Sequence, residues 1–157
     1  MAPLQRQPMR QGRALGMVLL LLTVLLLPMV SGADSTVSTN TTWSGNMVLS
    51  GNVTVASGAT LTVSPDTTVD AKEYAIIVEG TLVAEQAEFF SSIMPETQGS
   101  HGQGLWPGIV VETGGQVNLT NVIVANASAG ALVRGNFNGT EVVFNDAYRG
   151  VSVVGGE

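Results

Sequence analysis

The sequence predicts an all-β fold, a solenoid of about five short rungs. Three observations predict it. Short runs alternate apolar and polar residues with a period of two, as Val53, Val55, Leu61 and Val63 do against Asn52, Thr54, Thr60 and Thr62. Glycines recur between such runs at Gly58, Gly80, Gly115, Gly135 and Gly155, with separations of 22, 35, 20 and 20. Finally, TNVIVANASAGALVRG (120–135) and TEVVFNDAYRGVSVVG (140–155) align without gaps and share Thr120/Thr140, Val122/Val142, Ala127/Ala147, Gly130/Gly150, Val133/Val153 and Gly135/Gly155.

The first element lies outside that pattern. Arg6, Arg10 and Arg13 precede an apolar run from Ala14 to Val30, and the small residues Ser31-Gly32-Ala33 follow it. Basic, apolar and small in that order is the layout of a secretory signal peptide, 1–33, with cleavage expected after Ala33. The run is 17 residues long, at the lower edge of a spanning helix, so membrane contact is expected only through this segment before cleavage. Removal leaves 124 residues, enough for one domain, and residues 34–42 read as a disordered Ser/Thr-rich linker. Lys72, Arg134 and Arg149 then face 12 carboxylates, a formal charge of −9. That surface argues against nucleic acid or anionic lipid as a partner. The chain has no cysteine, so packing and backbone pairing must hold an exported domain without disulfides.

From residue 43 the strand signals follow one another: NVTV (52–55), TLTV (60–63), IIV (76–78), TLVA (81–84), IVV (109–111), QVNLTNVIV (116–124), ALV (131–133), EVVF (141–144) and VSVV (151–154). The glycine corners are expected to supply positive φ at sharp bends. The separation of 35 fits one turn plus an insertion, placed at SSIMPETQGSHGQG, 91–104. Repetition has a physical reason. A lone rung buries a handful of side chains at about 1.5–3 kcal/mol each, against roughly 1–2 kcal/mol of backbone entropy for every residue ordered. Only stacked rungs, gaining ladder bonds and contacts on both sides, win that contest.

On SGNVTVASGATLTVSPDTTV (50–69), VEGTLVAE (78–85), LWPGIVVETGG (105–115) and the twin segments, the chain from 43 to 157 resembles the right-handed parallel β-helix, pectin-lyase-like family. The resemblance implies an exported or cell-surface repeat protein. The alternative is an antiparallel β-sandwich, whose turns also recur at short spacing. The self-match favours the solenoid, since sandwich strands have no reason to repeat side-chain identity.

The resemblance also raises polysaccharide lyase or hydrolase chemistry, and the residues do not complete it. Asn145-Asp146 and Ser100-His101-Gly102 approach the hydrolase motifs without completing either. Asp66 and Asp70 have no third carboxylate at calcium-ligand spacing, and Glu79, Glu85, Glu88, Glu96, Glu112 and Glu141 read as solvated rung edges. Arg134 and Arg149 are 15 apart, off the 20-residue register a basic clamp needs. No catalytic residue, cofactor or metal site is therefore assigned. Trp43, His101 and Trp106 are the candidate ligand contacts, the indoles through sugar stacking, with packing at a rung entrance the plainer role for Trp106. Of Phe89 and Phe90, one is expected inward and one over a neighbouring rung. The insertion at 91–104 is the expected place for a specific function.

Five asparagines sit in Asn-x-Ser/Thr: Asn40, Asn52, Asn118, Asn126 and Asn138, all expected outward and able to carry N-linked glycan after export. The chain stops at VSVVGGE in mid-rung, which reads as a fragment or as an uncapped end open to end-to-end association. Together these readings predict a secreted or cell-surface β-helix protein of structural, adhesive or surface-binding role. Polysaccharide and other surface proteins are its expected partners. The alternative is a polysaccharide-binding or polysaccharide-degrading module.

Overall fold

A computed structural model of the chain describes residues 32–93 and 105–155. Its strands wind through five turns of three. The first turn is β1 (Ser35–Val37), β2 (Thr41–Trp43) and β3 (Asn46–Val48), and the second is β4 (Val53–Val55), β5 (Thr60–Val63) and β6 (Thr68–Asp70). The third is β7 (Ile76–Val78), β8 (Thr81–Glu85) and β9 (Glu88–Phe90), and the fourth is β10 (Ile109–Val111), β11 (Gln116–Thr120) and β12 (Ile123–Ala125). β13 (Ala129–Val133), β14 (Asn136–Thr140) and β15 (Val143–Asn145) complete the fifth, and β16 (Arg149–Val153) opens another.

Each strand hydrogen-bonds to its equivalent one turn away, always in parallel. The result is three sheets: A (β1-β4-β7-β10-β13-β16), B (β2-β5-β8-β11-β14) and C (β3-β6-β9-β12-β15). This is an all-β parallel solenoid, and its pairing rules out the antiparallel sandwich. The twin segments are two consecutive turns: Thr120 pairs with Thr140, Ile123 with Val143 and Val133 with Val153.

Alternation turns every second side chain inward, and register stacks those side chains into columns. Leu61, Leu82 and Val117 form one, Val69, Phe89 and Val124 another, and Val55, Val78 and Val111 a third; all are fully or almost fully buried. Phe89 points inward and Phe90 is half-buried on the outer side of sheet C, as the adjacent pair predicted.

Several expectations need correction. Residues 34–42 are not a disordered linker. β1 and the start of β2 lie there, Ser35 N–H donates to the Asn52 carbonyl, and the Asp34 and Asn40 side chains accept from the Asn52 and Thr60 N–H groups. The Ser/Thr pattern hid a first turn that gains its order from the ladder beneath it. QVNLTNVIV is two strands, broken at Asn121, and Glu141 is a corner rather than part of a strand. Both residues have positive φ, as do Asp66 and Gln86, so one such residue in each of turns two to five makes the bend from sheet B to sheet C, and Gly45 makes it in turn one. Lys72, Asn126 and Asp146 do the same between sheets C and A.

Glycine recurs at the corner from sheet A to sheet B, and often for another reason than positive φ. Gly58 has φ 83°, but Gly80, Gly115 and Gly135 are there because a Cβ would run into the carbonyl oxygens of Ala56, Val78 and Glu112 in the adjoining turn. Stacked turns approach too closely at that corner for any side chain.

Candidate functional site

The bend from sheet C to sheet A is where the chain departs on its insertion after turn three. β9 ends at Phe90 and β10 begins at Ile109. The insertion's middle, with His101, lies outside the described residues, as does the segment 1–31. Both stems are described, and each is fixed by polar contacts.

On the departing stem, the Asp70 carboxylate gathers four donors. Its Oδ1 accepts from the Lys72 N–H at 3.2 Å and the Ser92 N–H at 3.0 Å, and its Oδ2 accepts from Ser92 Oγ at 2.7 Å. Lys72 Nζ lies 2.8 Å from the same Oδ2 and donates to Ser92 Oγ at 2.6 Å. Asp70 thus satisfies backbone N–H groups of two successive turns at once, and its bond to Lys72 N–H holds that residue in the left-handed corner. Burial, which leaves the side chain 11% exposed, works against the charged carboxylate. The bonds from Lys72 and Ser92 outweigh it and hold the carboxyl below the usual carboxylate range.

The returning stem is sewn to the next turn. Leu105 N–H donates to the Asn126 carbonyl, Trp106 pairs with Ala127 in a parallel bridge, and Trp106 Nε1 donates to the Ala125 carbonyl at 2.9 Å. Asn126 Nδ2 reaches back to the Ser91 carbonyl at 3.1 Å, so one residue links the two stems, through its side-chain amide and its backbone carbonyl.

Chemically the triad is a clamp. A serine nucleophile needs a free base beside it. Here Lys72 Nζ pairs with Asp70 and donates to Ser92 Oγ, while the Asp70 carboxylate is a weaker base than usual. Among the described residues no group of three or more His, Cys, Asp or Glu is placed to hold a metal ion.

The remaining sequence candidates scatter. Trp43 and Trp106 are 6% and 1% exposed, so their rings belong to the core and not to a sugar-stacking surface. Asp66 lies exposed at the bend from sheet B to sheet C, apart from buried Asp70. Arg134 pairs with Glu112 at 2.9 Å, and Arg149 stands over the Tyr148 ring at 5.6 Å from its centroid.

The five asparagines divide by the work of their amides. Asn40 and Asn52 use Oδ1 to cap Thr60 and Ala75 N–H in the following turns, leaving Nδ2 outside those bonds. Asn126 commits Nδ2, the atom that would carry a glycan, to the Ser91 carbonyl. Asn118 and Asn138 are ladder partners on the outer face of sheet B, followed there by Thr120 and Thr140, also partners.

Sequence reasoning takes Asp70 only together with Asp66, as an incomplete calcium pair, and misses the clamp. The signal was present: Lys72 and Ser92 are 20 residues apart, one repeat, and register pairs Asp70 with Phe90.

Compared with known proteins, the chain matches no family model, no curated protein and no solved structure.

Proposed function

We propose that the mature chain is exported and serves at the cell surface or outside the cell as a rigid acidic rod. Its role is structural or adhesive, and it presents its flanks to polysaccharide or to other surface proteins. The observation that carries this reading is the outer face of sheet B. Thr42, Thr62, Val83, Asn118 and Asn138 form one in-register row there, and Thr60, Thr81, Gln116 and Asn136 form the next. Neighbouring members of a row are about 4.8 Å apart. Neither row carries a charge, although the chain is strongly acidic. Hydroxyl and amide groups so arrayed offer donors and acceptors suited to neutral sugar hydroxyls. The signal-peptide layout of 1–33 supports export, and the three-sheet parallel coil supports a pectin-lyase-like kinship. Exposed Asn40 and Asn138 are the favoured glycan acceptors.

The test is retention on insoluble neutral polysaccharides. The exported chain should be retained, and the double variant Thr62→Lys with Asn118→Lys should pass through. Failure of the unaltered chain to bind, or equal retention of both, defeats the reading.

A second reading, polysaccharide cleavage, is favoured by one observation. Glu79 and Glu112, on successive turns, line an open depression with Ser57, Ile77, Thr113 and Gly114. Release of reducing ends that disappears in Glu112→Gln would replace the structural reading with this one.

A further inference from the structure

We propose that the outer face of sheet A docks against the same face of a second copy, about a two-fold axis lying along β10. The first support is the composition of its inner strands. β5 and β11, TLTV and QVNLT, alternate apolar with polar, as strands wet on one side do. β7 and β10 read IIV and IVV, and β13 carries ALV, unbroken apolar runs of the kind seen in strands buried on both faces. One side of these strands is the core. On the other, Ile77, Val110 and Leu132 form a single in-register row that stays partly open to solvent. Each of the three strands pairs with a neighbour on both edges, so this openness comes from the outward direction of the row.

The second support is charge set beside that row. Glu79, Glu112 and Arg134 follow β7, β10 and β13 at the corner toward sheet B. They stack one above another, their N–H groups donating to the carbonyls of Val55, Val78 and Val111. Arg134 reaches Glu112 at 2.9 Å with its side chain still 38% exposed, while Glu79 has no ion pair among the described residues. Glu79 and Glu112 also line the open depression with Ser57, Thr113 and Gly114. It exists because only Glu79 and Gly80 join β7 to β8, whereas the corners of the turns on either side, 56–59 and 112–115, are longer. An acidic recess and an exposed arginine thus lie two turns apart on one edge of one face.

The order of residues along the coil selects the axis. The outward row of sheet A runs Thr54, Ile77, Val110, Leu132 and Ser152, two hydroxyls bounding three aliphatics. The row beside it runs Ala56, Glu79, Glu112, Arg134 and Val154. A two-fold axis along β10 reverses the order of turns and sets each row against itself. Ile77 then meets Leu132 of the second copy, Thr54 meets Ser152, and Glu79 meets Arg134 at the mouth of the recess. Glu112 faces its counterpart, each carrying its own Arg134. An axis along β7 or β13 instead sets Glu79 or Arg134 against itself, and an axis along the coil turns the charged rows away from each other. The contact is isologous and closes at two copies. Five strands at about 4.8 Å, each about five residues at about 3.3 Å, make a face of roughly 400 Å², half the area per partner of a standard interface, so the dimer is weak and reversible. Sheet B stays uncovered, and the dimer does not depend on what that sheet binds.

The experiment is sedimentation of the full chain recovered after export, from about 1 to 500 μM, the range a weak interface calls for. A dimer is expected toward the upper concentrations. Val110→Lys, which sets an ammonium group on the axis, should weaken it by about tenfold or more. Arg134→Glu should also weaken it, and adding Glu79→Arg to that variant should restore it, because the same contact forms with its signs exchanged. Circular dichroism establishes that each variant is folded, so a lost dimer is not a lost fold. A monomer at every concentration, a dimer indifferent to Val110→Lys or to Arg134→Glu, or failure of Glu79→Arg to restore association overturns the proposal. Dimers that appear only once residues 94–104 are deleted would assign the face to the insertion and overturn it equally.

Discussion

Turns four and five are written in nearly the same residues and sit in different surroundings. Val122 and Val124 are buried completely, while their equivalents Val142 and Phe144 are only partly covered. The contrast between Val133 of turn five and Val153 of the strand that follows it is sharper, because the residue is the same. Nothing in either turn's local sequence accounts for it. What changes is the presence of a neighbour on the second side, so in this fold burial belongs to the pair of turns and not to the residue. Turns with a neighbour on both sides are consequently where the stability of the coil resides.

The comparison can be broken first at the middle. Phe89 is fully buried between Val69 and Val124. Phe89→Ala should cost about 3–5 kcal/mol in urea unfolding, the range for a large aromatic removed from a packed core. A cost below about 1 kcal/mol would mean that the columns do not carry the fold.

The clamp under the insertion comes next. Asp70→Asn should cost roughly 1–2 kcal/mol at neutral pH, because a charge-assisted cluster loses its acceptor charge. The folded-state carboxyl titrates below the ordinary aspartate range, so its stabilisation is fully present above that range and fades as pH falls through the folded-state value. Unfolding measured between neutral pH and pH about 3 should therefore show the two proteins converging in acid. A constant gap would place the effect elsewhere. Limited proteolysis gives a second readout, since cleavage between 93 and 105 should rise in the variant if the clamp holds the stem.

The smallest effect belongs to the surface. Arg134 and Glu112 form an ion pair with both side chains more than a third exposed. Arg134→Ala should change stability by no more than about 0.5 kcal/mol, a difference that added salt should diminish.

Much of this architecture was legible because a solenoid repeats its own evidence. TLTV, IIV and IVV match β5, β7 and β10 residue for residue, since alternation and β-branching act within a few residues. The 20-residue self-match gave the register between turns four and five. The first turn was illegible for the opposite reason. Ser35, Thr36, Thr41 and Thr42 have little apolar pattern, and they are strands because β4 and β5 offer edges to pair with. The corners failed differently. Lys72, Gln86 and Glu141 have no local preference for positive φ, so tertiary stacking imposes what glycine was expected to allow. The clamp required combining two facts, the repeat length and the outward position of Asp70. No short motif expresses that combination.

The most direct test places one substitution at two ladder-paired positions. Val133→Ala and Val153→Ala remove the same atoms from adjacent strands of sheet A. They should be compared by urea unfolding. Val133→Ala should cost about 2 kcal/mol, and Val153→Ala no more than about 0.5 kcal/mol. Equal costs would contradict the claim that each turn is stabilised by its neighbours, and with it the distinction between a strand paired on both sides and one paired on a single side.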